Sequence, residues 1–302
     1  MRAVLLIGYG SVLPGIGTAM IRIASRISAA GIAPIAAAGF IDGCRPTFRE
    51  ALESCIADGA TDVIVQPYAL VEDVPIRRDL RRLLLAACEA HPNISLRLAR
   101  PLGDHPALAQ IALQRAMEAD YAAAHGMDGL PLMSAYEHNI RRPPAALYAL
   151  RTDGQGPELI ADQWQPLFQN HPTGLLLVAH GSLKPAWDWP MIAAAECTRM
   201  HSQYTVVGLG FTHHNQPDVA TAIDQLAARG LHYLVIVPYM LQLTAEDTEQ
   251  LTQQIADAAD RHPDIKLLLT EHLNYDRRLL RAIADRVNEV VSADVRKRCV
   301  AV

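Results

Sequence analysis

Cysteine is scarce in this chain of 302 residues: five in all, at positions 44, 55, 88, 197 and 299. The number is odd, the positions are scattered and no CxxC occurs. That argues against a disulfide framework, an iron–sulfur cluster or a zinc ribbon, and points to a reducing compartment. An excess of basic residues is also lacking. Twenty-seven Lys and Arg against 32 Asp and Glu leave a net charge of −5, without the basic stripe that a nucleic-acid footprint needs. No apolar run reaches the roughly 18 residues of a membrane span. The opening stretch "MRAVLLIGYGS" meets glycine too early for a signal peptide. Neither GxGxxG nor GxxxxGK[ST] is present, so no nucleotide cofactor is expected. The expectation is a cytoplasmic protein with no membrane or nucleic-acid partner.

What the sequence does contain is a repeat. Gly10-Ser11 and Gly181-Ser182 lie 171 positions apart, and so do Pro14 and Pro185, Gly39-Phe40 and Gly210-Phe211, and Pro46 and Pro217. Gly59 and Gly230, Pro67-Tyr68 and Pro238-Tyr239, and His91-Pro92 and His262-Pro263 keep the same offset. A single ungapped offset marks a tandem duplication. Each copy alternates continuous apolar runs, such as "AVLLIGYG" and "GLLLVAHG", with amphipathic helical stretches. Continuous apolar strands belong to parallel sheets covered on both faces. Helices are expected over 46–58 and 217–229, opened by Pro46 and Pro217 and closed by Gly59 and Gly230. The fold class is therefore α/β: two similar doubly wound lobes with parallel sheets, related by a pseudo-twofold. The expected organisation is an N-terminal lobe over 1–124, a connector over 125–172 and a C-terminal lobe over 173–302. The connector, with "RRPP", "TDGQGP" and "NHP", reads as irregular. In sheets of this kind ligands gather at the carboxyl ends of the strands.

The copies differ at those strand ends. His180 stands where the first copy has Tyr9, His213 where it has Asp42, and Glu246 where it has Pro75. All three follow successive strands of the second copy, so their side chains can converge. Two imidazoles and a carboxylate form an open coordination set for a divalent first-row metal. Each residue also has a bland reading: a hydrogen-bonded loop histidine, or an acid in the N-terminal capping sequence "TAED". His214 adjoins His213, and neighbours on an extended strand point oppositely; the register selects His213. Ser182 beside His180 could suggest a hydrolase, but no GxSxG elbow supports it.

The run "LLLVAHGS", the third strand "VIVPYML" and "PLGDHP" at 101–106 resemble the CbiX/SirB class II chelatases. The resemblance covers about 1–122 and 173–290 and fits the tandem-duplicated members. It implies insertion of a divalent metal into sirohydrochlorin on routes to cobalamin or sirohaem. Co2+ is favoured as the metal substrate, with Fe2+ or Ni2+ as alternatives. The family pattern places His, Glu and His after strands one, two and three; here positions 213 and 246 carry the last two types exchanged. "PLGDHP" has become "HLNYDR" at 272–277. The implied catalytic and metal residues are His180, His213 and Glu246, with the first copy's site degenerate. Ser182, Lys184, Arg45 and Tyr9 are the expected contacts to the tetrapyrrole, with the Arg77-Arg78 pair as further cations. Trp187 and Trp189 are candidates to flank the macrocycle. The alternative reading is a catalytically degenerate tetrapyrrole- or metal-binding protein. Either a monomer or a homodimer is compatible with the fusion.

Overall fold

A computed structural model describes residues 1–10, 17–42, 44–71, 74–124, 172–184, 188–273 and 275–300. The expected connector lies outside these, apart from Pro172, as does Trp187. In chain order the first copy contains β1 (Arg2–Gly8), α1 (Thr18–Ile27), β2 (Ile35–Phe40), α2 (Phe48–Ala57), β3 (Asp62–Pro67), α3 (Val74–Ala90), β4 (Ser95–Leu98) and α4 (Pro106–Ala124). The second contains β5 (Thr173–Ala179), α5 (Trp189–His201), β6 (Val206–Phe211), α6 (Val219–Ala227), β7 (Tyr233–Pro238), α7 (Ala245–Arg261), β8 (Lys266–Leu269) and α8 (Arg278–Val300).

The strands form two four-stranded parallel sheets, ordered β2-β1-β3-β4 and β6-β5-β7-β8. The register itself repeats. Leu5 pairs with Ala37 and Val65, and Leu176 pairs with Gly208 and Ile236. Every residue of β5 is buried, which is why its sequence shows no polar alternation. On one face of the first sheet Leu5, Val63 and Val65 pack with Phe48, Leu52 and Leu80; on the second, Leu176, Leu234 and Ile236 pack with Val219, Ile223, Leu251 and Ile255. The α/β class and the two similar lobes follow the expectation. Among the described residues no helix is long and apolar enough to cross a membrane.

Helix starts depart from it in detail. The caps of α2 and α6 are Thr47 and Asp218, whose side chains accept from the backbone N–H of Glu50 and Thr221. Pro46 and Pro217 stand just before the caps, and their carbonyls accept from Phe40 and Phe211 at 2.9 and 3.0 Å. A side-chain acceptor satisfies one of the orphan N–H groups at a helix start, which proline at the first helical position would not do. Gly59 and Gly230, both at positive φ, follow these helices as expected.

The larger departure concerns the lobes. The compact units are 1–107 with 277–302, and 108–276, in place of lobes at 1–124 and 173–302. The last helix of each copy falls in the compact unit that holds the other copy's sheet. In α4, Arg115 is 1% exposed. It donates to the carbonyls of His272 (3.2 Å) and Leu273 (3.0 Å), and it lies near Glu118 (3.6 Å) and Asp276 (3.8 Å). In α8, Arg286 donates to the carbonyl of Pro101 (2.9 Å), to Glu289 (2.8 Å) and to Asp104. Arg115 and Arg286 are 171 apart, as are Glu118 and Glu289, and Pro101 and His272. The exchange is thus the same device used twice. Its physical basis is that a buried guanidinium must find fixed acceptors, and the loop carbonyls after β4 and β8 supply them.

Candidate metal centre

The second unit places its functional side chains by extending the β5–β6 ladder beyond the strands. Thr212 N–H donates to the Ala179 carbonyl and His213 N–H to the His180 carbonyl, each at 3.0 Å. His180 and His213 therefore leave their strand ends side by side, with ring centroids 4.5 Å apart and planes 39° apart. Gly181, at φ 85°, makes this approach feasible. A Cβ there would collide with the His213 carbonyl.

The third member comes from the first turn of α7. Thr244 caps that helix, and Asp247 closes a reciprocal box: its Oδ2 accepts from Thr244 N–H (3.1 Å) and Oγ1 (2.6 Å). This turns Oδ1 toward His180 Nδ1, 3.8 Å away. One donor atom from each of His180, His213 and Asp247 lies within 4.8 Å of the others. A first-row metal bound at about 2.0–2.2 Å needs donor pairs within about 4 Å, so closure by under about an ångström suffices. The His213 Nδ1 sits 3.0 Å from Thr212 Oγ1. The Thr212 hydroxyl in turn donates to the His180 carbonyl at 3.5 Å. The tautomer with Nδ1–H toward Thr212 would leave the Nε2 lone pair for a metal. His180 is exposed, while His213 and Asp247 are half-buried. Among the described residues no second group of this kind occurs.

Of the residues expected from the sequence, the structure thus unites His180 and His213. Glu246 is exposed and stands outside the group; the acid that the structure brings to the two histidines is its neighbour Asp247. The Thr244–Asp247 box folds the third helical residue back over the cap, whereas its predecessor is rotated about 100° away. The missed signal was the spacing of Thr244 to Asp247 within "TAED". His214 also departs from the expectation. It has φ 62°, so strand alternation fails there, and its ring lies 6.3 Å from that of His180 and 6.0 Å from that of His213.

The expected tetrapyrrole contacts are dispersed in role. Ser182 is 5% exposed. Its hydroxyl is shared between the Lys184 carbonyl (2.9 Å) and Asp188 Oδ1 (2.8 Å), and its N–H donates to Asn215 Oδ1 (2.7 Å). It is spent inside the loop. Burial raises the Asp188 carboxyl above the ordinary carboxylate range, against the hydrogen bonds from Ser182 and Asn215. Lys184 is exposed. Trp189 is 66% exposed, which places it at the surface and not in the core. In the first unit, the Tyr9 hydroxyl donates to Asp79 Oδ2 (3.1 Å). Arg78, with help from Tyr9, holds the Asp79 carboxyl below its usual range. Arg45 is exposed beside Glu50 at 3.5 Å, and Asp42 is exposed with its carbonyl accepting from Gly10 N–H. The side chain of Pro75 lies outside the described residues.

The CbiX family model matches residues 3–119 and again 174–290. A sirohydrochlorin cobaltochelatase of Sulfurisphaera tokodaii is 27% identical over 123 residues, covering 41% of this chain and 98% of its own length. That of Priestia megaterium is 21% identical over 302 residues, covering 99% of this chain and 83% of its own. SirB from Bacillus subtilis, solved with Fe3+, superposes with a TM-score of 0.68 at 16% identity, covering 96% and 95% of the two chains. That likeness concerns the fold.

Proposed function

Since the chain belongs to the CbiX family, with one copy of the domain in each half, we propose that it inserts a divalent metal into sirohydrochlorin. The observation that carries this reading is the convergence of His180, His213 and Asp247. Co2+ is the favoured metal substrate, with Fe2+ and Ni2+ accepted by the same donors. Three protein donors leave coordination positions open, so the ion is held for transfer and not locked in a closed structural site. His180 is exposed at the strand end, where a macrocycle can reach it. Metallation releases two pyrrole N–H protons, and a neutral imidazole near that face is a competent acceptor. Lys184, three residues beyond the carbonyl-anchored His180–Gly181 turn, supplies a cation for the substrate's carboxylates. Arg45 and Tyr9 of the first copy are further proposed contacts. The reading includes a cytoplasmic location, no nucleic-acid or membrane partner, and a monomer or homodimer.

The test is anaerobic: sirohydrochlorin absorbance is followed with Co2+, Fe2+ or Ni2+ against the uncatalysed rate. Acceleration by the wild type that His180→Ala abolishes supports the reading. Tight binding of metal and tetrapyrrole with no acceleration overturns it in favour of a binding protein.

A further inference from the structure

Three segments meet beside the candidate metal centre, and a largely buried polar latch joins them. Asn215 Oδ1 accepts from Ser182 N–H at 2.7 Å, Asn215 Nδ2 donates to Asp188 Oδ2, and Asp188 Oδ1 accepts from the Ser182 hydroxyl at 2.8 Å. Ser182 is two residues from His180, Asn215 two from His213, and Asp188 stands at the N-terminus of α5. Asp188 and Ser182 are 4% and 5% exposed. The Asn215 N–H also donates to the His213 carbonyl at 2.7 Å, closing the turn through left-handed His214. Both histidine-bearing loops are thus tied to one carboxylate.

The duplication supplies a control. At the positions equivalent to Asp188 and Asn215, 171 residues earlier, the first copy carries Gly17 and Cys44. There too a glycine, Gly10, lies so close to the loop after β2 that a Cβ would meet the Asp42 carbonyl at 2.5 Å. The close approach of the two loops therefore occurs without this carboxylate–amide pair. The pair is present in the copy that gathers His180, His213 and Asp247. Changing the partners that fix ligand orientation commonly costs about ten- to a hundredfold in metal affinity.

We propose that Asn215 and Asp188 are positioning residues that set the separation of His180 and His213 for a divalent cation. This rests on the assignment of His180, His213 and Asp247 as metal donors, and goes beyond it by naming what holds them. The hydrogen-bond pattern permits a reciprocal test in the full-length protein. Asn215→Asp sets two carboxylates face to face, and Asp188→Asn sets two amides face to face. The double variant restores every bond: Asp at 215 accepts from Ser182 N–H and from the new amide at 188, whose oxygen accepts the Ser182 hydroxyl.

Co2+ alone is the probe, read by calorimetry and by the visible ligand-field bands of the bound ion. Each single change is expected to weaken Co2+ binding roughly ten- to a hundredfold and to alter the bands, while far-ultraviolet circular dichroism stays native. The double variant is expected to recover affinity and spectrum. Singles that lower the unfolding temperature but leave Co2+ affinity and bands unchanged would make the latch purely structural and overturn the proposal. So would a double variant whose loss is the product of the single losses. If Asn215→Asp fails to fold, Asn215→Ser, which removes the bond to Asp188 without adding charge, is read by the same criteria. A wild type that binds Co2+ without inserting it defeats the proposed function and leaves the latch measurable. A wild type that inserts metal while the variants bind it normally defeats the latch alone.

Discussion

Asp247 uses its two oxygens for different purposes. Oδ2 completes the cap of α7, and Oδ1 faces His180. Substitutions can separate them. In Asp247→Asn the amide oxygen still accepts from Thr244, so stability is retained while a charged donor is lost. Asp247→Ala forfeits the return half of the capping box as well, at about 1 kcal/mol, while Thr244 Oγ1 keeps its bond from the residue 247 N–H. Both are expected to weaken Co2+ binding by calorimetry, and only the alanine variant to lower the unfolding temperature. Glu246→Gln is expected to do neither; a Co2+ defect there equal to that of Asp247→Asn would return Glu246 to the site. His180 and His213 were legible in the sequence because comparison of the copies isolates positions where a strand end changes chemistry. Asp247 was not, since its equivalent, Ile76, draws no attention. Only the phase of the first helical turn, fixed by Thr244, distinguishes it from its neighbour. His214 was misread because alternation holds only while the backbone remains extended.

Strands were easier to read than the partners of helices. An unbroken apolar run such as "GLLLVA" demands burial on both faces, and the common offset then dictates the same strand order twice. An apolar helical stripe demands burial but does not say against which sheet, so the exchange of α4 and α8 was invisible in hydrophobic pattern. Arg115 and Arg286, at equivalent positions of the two helices, were the available sign. Arg115→Met fills the volume but leaves two carbonyls and the Glu118 and Asp276 carboxylates without their guanidinium, at about 3–5 kcal/mol. Hydrogen exchange should show lost protection within 108–276, including β7, and little change in β1, although residue 115 belongs to the first copy. Loss confined to the first unit would refute the exchange. The same helix carries a titrating group. Asp120 is fully buried, accepts from the Tyr204 hydroxyl at 2.5 Å, and has an Oδ1 with no hydrogen-bond partner among the described residues. Burial, against that hydrogen bond, pushes its carboxyl up to about 7. Folded Asp120 thus keeps a proton that the unfolded chain has lost, and stability falls as pH rises between about 4 and 7. His272 does the reverse: burial, with Arg115 assisting and Glu271 opposing, pushes its imidazole down to about 4. The unfolded chain then holds the extra proton, and stability rises with pH between about 4 and 6.5. The two slopes, each about 1.4 kcal/mol per pH unit, oppose one another. Asp120→Asn removes its half of that opposition and keeps the His272 slope, so urea unfolding at pH 4.5, 5.5 and 6.5 should show stability rising more steeply with pH, or falling less, than in the wild type. Parallel curves would mean Asp120 does not hold the proton.

Taken together, the chain repeats its sheets, registers and helix anchors while differing at the strand ends. The buried residues that make each sheet are constrained by packing, so Leu5 and Leu176 pair with residues at equivalent positions. Strand-end residues carry little packing and are free to diverge. One copy therefore holds His180, His213 and Asp247, and the other Tyr9, Asp42 and Ile76 at the matching positions. Of that second set only Asp42 is a strong divalent-metal donor, and a single carboxylate does not make a three-donor site. The expected stoichiometry is one Co2+ per chain by calorimetry, falling to none in His180→Ala. Tyr9→His adds an imidazole to the first copy but brings its donors only to two. One of these, Asp42, is exposed, and the carboxylate that α7 contributes in the second copy is an isoleucine here. The variant should therefore still bind one Co2+ with wild-type affinity. Its Tyr9–Asp79 bond is lost without effect on the metal isotherm. Two equivalents in the wild type, or a second tight site created by Tyr9→His alone, would show that the first copy retains a metal site of its own and that the division of labour drawn from the strand ends is wrong.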